Sequence, residues 1–152
     1  MNQQPETIKQ QVLREMSIAI SQNNWQASCD LLSLTLTIGE PENRSDILNE
    51  LLVMPGHELH QEVTREIQLL RSPSSVRYIR QVLEGDFQML EYTCSEPGVI
   101  AKWFSHALAD INTPESIALI KEIATSGKPE VAEEMAYRLR RLNASPFLQA
   151  DA

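Results

Sequence analysis

The sequence predicts an all-α chain with no sheet, and three observations carry that prediction. Apolar residues recur at helical spacing in one segment after another. A single run, "LLSLTLTI" at residues 31–38, alternates at period two. No other segment offers it a partner, and an isolated strand leaves its backbone groups unpaired. Finally, a set of core positions recurs forty-one residues further on, as in Val63 and Phe104, or Ile67 and Leu108.

The elements follow in order. Ile8, Val12, Leu13, Met16, Ala19 and Ile20 form one apolar stripe over residues 7–21, with Pro5 and Glu6 suited to its start. "SQNN" at 21–24 supplies caps and a turn. The second helix runs from Trp25 to about Ile38, where Gly39 tolerates a left-handed terminal residue. "EPENRS" at 40–45 reads as a loop, with Ser45 capping a helix that carries Ile47, Leu48, Leu51 and Leu52. Pro55–Gly56 stops that helix. A stripe of Leu59, Val63, Ile67 and Leu70 follows, and "SPSS" at 72–75 caps a helix carrying Val76, Ile79, Val82 and Leu83. Further helices are predicted near 97–111, 114–125 and 130–142.

Superposing residues 59–83 on the chain forty-one residues later pairs Leu70 with Ile111, Pro73 with Pro114, Val76 with Ile117, Ile79 with Ile120 and Val82 with Ile123. Both copies put a hydroxyl residue before the proline, an N-cap followed by proline at the first helical position. "ALADINTPESIALIKEIATSGKPEVAEEMAYRL", residues 107–139, closely resembles a HEAT repeat, most specifically in the turn from Asp110 to Pro114. Residues 59–83 resemble it more weakly. A period near 40 built from helix pairs is the signature of HEAT and armadillo arrays. The resemblance implies an α-solenoid of about three to four hairpins, in which each pair buries its stripe against its neighbours. The chain reads as one HEAT-like domain, 1–152. It comprises irregular N-terminal helices over 1–54, repeat hairpins over 57–85 and 97–126, and a C-terminal helix over 129–143.

Length and charge narrow the function classes. A chain of 152 residues suits one domain with a sizeable core. No apolar run approaches the roughly 20 residues that cross a bilayer, and residues 1–11 have no hydrophobic stretch of the kind a signal needs, so the expected location is cytoplasmic. Cys29 and Cys94 lack C-x-x-C spacing and are expected as free thiols. The net charge of −8 disfavours a phosphate-backbone partner. Residues 84–134 hold ten acids against Lys102, Lys121 and Lys128. These are either solvated helix faces or a surface that steers a basic protein.

Candidate chemistry is sparse. "HELH" at 57–60 departs from H-E-x-x-H, since the second histidine comes one residue early and Gln61 holds the required place. His57 and His60 therefore read as helix-surface histidines, and no metal and no cofactor are expected. Cys94 and His106 stand about 15 Å apart along a helix axis, beyond the reach of direct proton transfer. Glu91 with Glu96, and Glu133 with Glu134, read as structural, as do Arg138, Arg140 and Arg141 near the last helix end. No catalytic residue is expected.

The densest stretch is "EYTCSEPGVIAKWFSHAL", residues 91–108, preceded by an unusually long connector from Gly85 to Ser95. Its Phe87, Met89, Leu90 and Tyr92 either plug the junction between hairpins or stay partly exposed as an interface anchor. The partner-binding candidates are Asp86, Phe87, Glu91, Tyr92, Glu96, Lys102 and Trp103. Three functions follow. The first is a non-catalytic protein-binding module, monomeric or weakly dimeric, that neutralises a basic toxin domain stoichiometrically. Residues 86–110 are similar to small stand-alone bacterial HEAT proteins of the toxin-immunity type. The second is an adaptor or scaffold subunit. The third is an enzyme, either a DNA glycosylase with a basic concave face, which the HEAT resemblance implies and of which Arg71, Arg77 and Arg80 would be a fragment, or a cysteine-dependent activity.

Overall fold

The computed structural model describes residues 4–144. Among these, eight α-helices and two short 3-10 turns account for the regular structure, and no strand occurs. The helices are α1 (Ile8–Ser21), α2 (Trp25–Leu36), α3 (Pro41–Val53), α4 (His60–Leu70), α5 (Val76–Leu83), α6 (Pro97–Ile111), α7 (Pro114–Ser126) and α8 (Pro129–Ala144).

Local chemistry explains most of the boundaries. Thr7 caps α1 in a reciprocal box with Gln10, and Asn24 caps α2 by accepting from the Ala27 N–H. Proline stands at the first helical position of α3, α6 and α7, where its missing N–H costs nothing. Thr113 caps α7 and exchanges bonds with Ser116, as the hydroxyl–proline joint predicts. In the matching joint, Ser72 caps a 3-10 turn over Pro73–Ser75 that leads into α5. Buried Asn49 of α3 clamps that turn, accepting from the Ser75 hydroxyl at 2.6 Å and donating to Ser74 at 3.1 Å.

Two expectations at the front of the chain are corrected. "EPENRS" is the first turn of α3, because Pro41 fixes a helical φ one residue after Glu40. Ser45 is therefore inside the helix and buried, not a cap. Gly39 is no left-handed cap, since α2 ends at Leu36 and Thr37 keeps a right-handed conformation. Gly56, after α3, does need its freedom: its φ is +102°, and an added Cβ would lie 2.8 Å from Cγ2 of Ile20.

The helices form two rows. Helices α1, α3, α5 and α7 each touch the next along one row, and α4, α6 and α8 do so along the other. Helix α2 packs on α1 and α3. The core lies between the rows, and its fully buried side chains include Leu48, Leu52, Ile67, Ile79, Phe104, Leu108, Leu119 and Ile120. Burying each such side chain is worth roughly 1.5–3 kcal/mol. Positions forty-one residues apart occupy the same kind of place: Val63 and Phe104, Ile67 and Leu108, and Ile79 and Ile120 are all buried. Neighbouring units are also tied by polar contacts. Gln68 donates to Asp110 at 2.8 Å, and Arg80 pairs with Glu122.

No helix among the described residues is long and apolar enough to cross a membrane.

Candidate functional site

The connector between α5 and α6 is a 3-10 turn over Gln88–Thr93, bracketed by left-handed residues at Phe87 (φ 60°) and Cys94 (φ 54°). Asp86 starts it by accepting from the Gln88 N–H at 3.0 Å. Leu90 is 1% exposed and belongs to the core, against which Phe87 and Met89 are half-buried. Most of the connector's apolar mass thus points inward, which fixes where its one exposed aromatic stands.

That aromatic is Tyr92, with 37% of its surface exposed. Its hydroxyl accepts the backbone N–H of His60 at 2.9 Å and donates to Nδ1 of the same residue at 2.8 Å. Helix α4 has Leu59 at its N-cap position, which offers no side-chain bond. Tyr92 supplies the missing acceptor from the far side of the connector.

Beneath it lie His57 and His60, and here the expectation of surface histidines is wrong. They are 3% and 0% exposed, with rings stacked at 3.9 Å. The segment after Pro55–Gly56 turns inward before α4 begins, so both rings enter the core. Burial is tolerated because every ring nitrogen is satisfied. His57 donates from Nε2 to the Leu51 carbonyl at 2.6 Å and accepts the Leu59 N–H at Nδ1. His60 donates from Nε2 to the Met54 carbonyl at 2.8 Å. Burial lowers both pKa values, that of His60 to about 4, with the neighbouring His57 charge as a second cause. Burial also pushes Tyr92 up to about 12, with Glu58 and Glu62 adding to the rise against the His60 backbone bond.

Exposed acids stand near this point. Glu58 and Glu62 are close enough for their fields to act on Tyr92, and Glu91 precedes it in the chain. All three are exposed, as is Glu96 at the N-cap position of α6.

The remaining candidates separate. Asp86 and Phe87 line a recess of about 270 Å³ with Val53, Gln81 and Met89. Lys102 and Trp103 line a groove of about 500 Å³ between α4 and α6, together with Gln61, Glu62, Arg65 and His106. His106 and Cys94 are not brought together. The Cys94 thiol is exposed and lies 3.8 Å from the Tyr92 carbonyl, whereas His106 accepts from Nη2 of Arg138 at 2.9 Å. Arg138, expected near a helix end, instead sits inside α8 and also donates to the Ser105 hydroxyl at 3.2 Å. Among the described residues, no three His, Cys, Asp or Glu side chains converge as metal ligands.

Sequence reading missed the roles of His57, His60, Glu58 and Glu62. The early Pro–Gly break before "HELH" was the available signal, because it puts His57 in the turn before α4 and His60 at the helix's first residue. Neither a known protein family, nor a curated protein, nor a solved structure matches this chain.

Proposed function

We propose that the chain is a HEAT-type α-solenoid acting as a non-catalytic binding module, and that it neutralises a basic toxin domain in the cytoplasm by stoichiometric binding. The two-row packing and the polar ties between units support the solenoid reading. So do the hydroxyl–proline joints at Ser72–Pro73 and Thr113–Pro114.

The observation that carries the binding reading is Tyr92. Its ring is exposed while its hydroxyl is held by two hydrogen bonds to α4. An aromatic already fixed in place loses little freedom when a partner covers it, which suits an anchor residue. Glu58, Glu62 and Glu91 around it favour encounter with a basic surface.

The test is to look for a gene encoding a basic toxin domain beside that of the chain, then mix the purified chain with that domain and follow both complex mass and toxin activity. A neighbourhood with no such gene counts against the proposal. A one-to-one complex, with toxin activity falling to zero at equimolar chain, supports the proposal. Loss of activity at far less than equimolar chain points to an enzyme, and the absence of any complex removes the binding reading.

A further inference from the structure

The groove between α4 and α6 has the opposite chemistry to the rim around Tyr92. In a chain of net charge −8, it gathers unpaired donors. Arg65 and Lys102 line it, and neither has an ion-pair partner among the described residues. His106 adds a third donor. Arg138 can only donate, so its 2.9 Å bond fixes Nε2 of His106 as an acceptor and leaves the ring proton on Nδ1. Burial, then the charges of Arg138 and Lys102, hold the ring in this neutral form. The indole N–H of Trp103 is a fourth donor with no partner among the described residues. Glu62 is the one carboxylate in the lining, at the end close enough to act on Tyr92. Asp110, which accepts from the lining residue Gln68 at 2.8 Å, and Glu134 act on His106 from outside it and partly oppose the two cations.

We propose that this groove binds an acidic peptide segment of a protein partner. Its carboxylates pair with Arg65 and Lys102 and accept from His106. One apolar side chain rests on the half-buried face of Trp103. The free amide of Gln61 is placed to bond the peptide backbone. A volume of about 500 Å³ lies within the ordinary range of ligand sites, roughly 300–1,000 Å³. A polyanion is the poorer occupant, because a nucleic acid needs a long run of cations and would meet the chain's excess acid beyond these two. This site adjoins the proposed toxin-binding rim and shares Glu62 with it, but its ligands Arg65, Lys102 and His106 are not used there, so it does not depend on that reading.

The test uses Trp25→Phe, which leaves Trp103 as the sole tryptophan, since the chain has two. Its fluorescence is titrated with a short Asp/Glu peptide containing one leucine, with the same peptide rewritten in lysine, and with a single-stranded oligonucleotide. The acidic peptide is expected to give a saturable, salt-sensitive change, and the lysine peptide none. Arg65→Glu and Lys102→Glu should each weaken binding about tenfold or more, while Lys121→Glu on α7 should not, with all variants matched by far-UV circular dichroism. Equal binding of the lysine peptide, no effect of the two reversals, or tighter binding of the oligonucleotide would overturn the proposal.

Discussion

Tyr92 caps helix α4 from thirty-two residues away, its hydroxyl lying 2.9 Å from the His60 nitrogen and 2.8 Å from Nδ1 of the same residue. One phenol thereby joins the α5–α6 connector to a helix start that its own sequence does not cap. Tyr92→Phe keeps the ring and removes only those two bonds. It leaves the buried N–H of His60 and its buried imidazole nitrogen without partners, so a loss of about 1–3 kcal/mol is expected in urea denaturation. Because the ring remains but is no longer held by these bonds, partner binding by the folded variant should weaken modestly rather than vanish. A stability change below about 0.5 kcal/mol would show that the hydroxyl does not secure the helix.

The histidine pair sets a pH dependence whose sign is fixed. The folded pKa of His60, about 4, lies below its ordinary value of 6.5. Between those values the unfolded chain binds more protons, so stability rises with pH. The contribution is fully present above the ordinary value and is lost as pH falls through the folded one, in total about 3 kcal/mol. Protonating His57 would also set an Nδ1–H against the Leu59 N–H with no acceptor between them. Denaturation midpoints should therefore fall steadily from pH 6.5 to 5, before most carboxylates titrate. A flat profile over that window would contradict the buried, neutral pair.

The repeat positions predict unequal costs for leucines on the packed helices α4 and α6. Leu108, fully buried, should lose about 2–5 kcal/mol on Leu108→Ala. Leu69, 64% exposed on α4, should change by less than about 0.5 kcal/mol on Leu69→Ala. Equal costs, measured by thermal or urea unfolding, would mean that the spacing does not report the core.

The helices were legible because the apolar stripes, hydroxyl caps and prolines are local signals. Thr113–Pro114 acts in the structure as its sequence implies. The α3 start was not legible, because Ser45 resembles a cap and only the backbone shows that Pro41 has already begun the helix. The candidate site was legible in part. Tyr92 stands out in the sequence as an aromatic among acids, but its exposure is not decided there, and its cap on α4 joins residues thirty-two apart and has no local pattern. His57 and His60 misled for a related reason. Burial of a polar ring depends on carbonyls of Leu51 and Met54 that are aimed only once α3 and α4 are packed.

The binding claim is tested most directly by the rate at which the chain associates with its basic partner, followed by stopped-flow across a range of salt. The comparison is wild type against the triple reversal of Glu58, Glu62 and Glu91 to lysine, at matched thermal stability. The account predicts association slowed about tenfold or more in the reversal at low salt. The salt dependence should be flattened, because exposed charge is screened over roughly 10 Å at 0.1 M, and dissociation should be little changed. An association rate that the reversal leaves unaltered, or that rises with salt in the wild type, would contradict it.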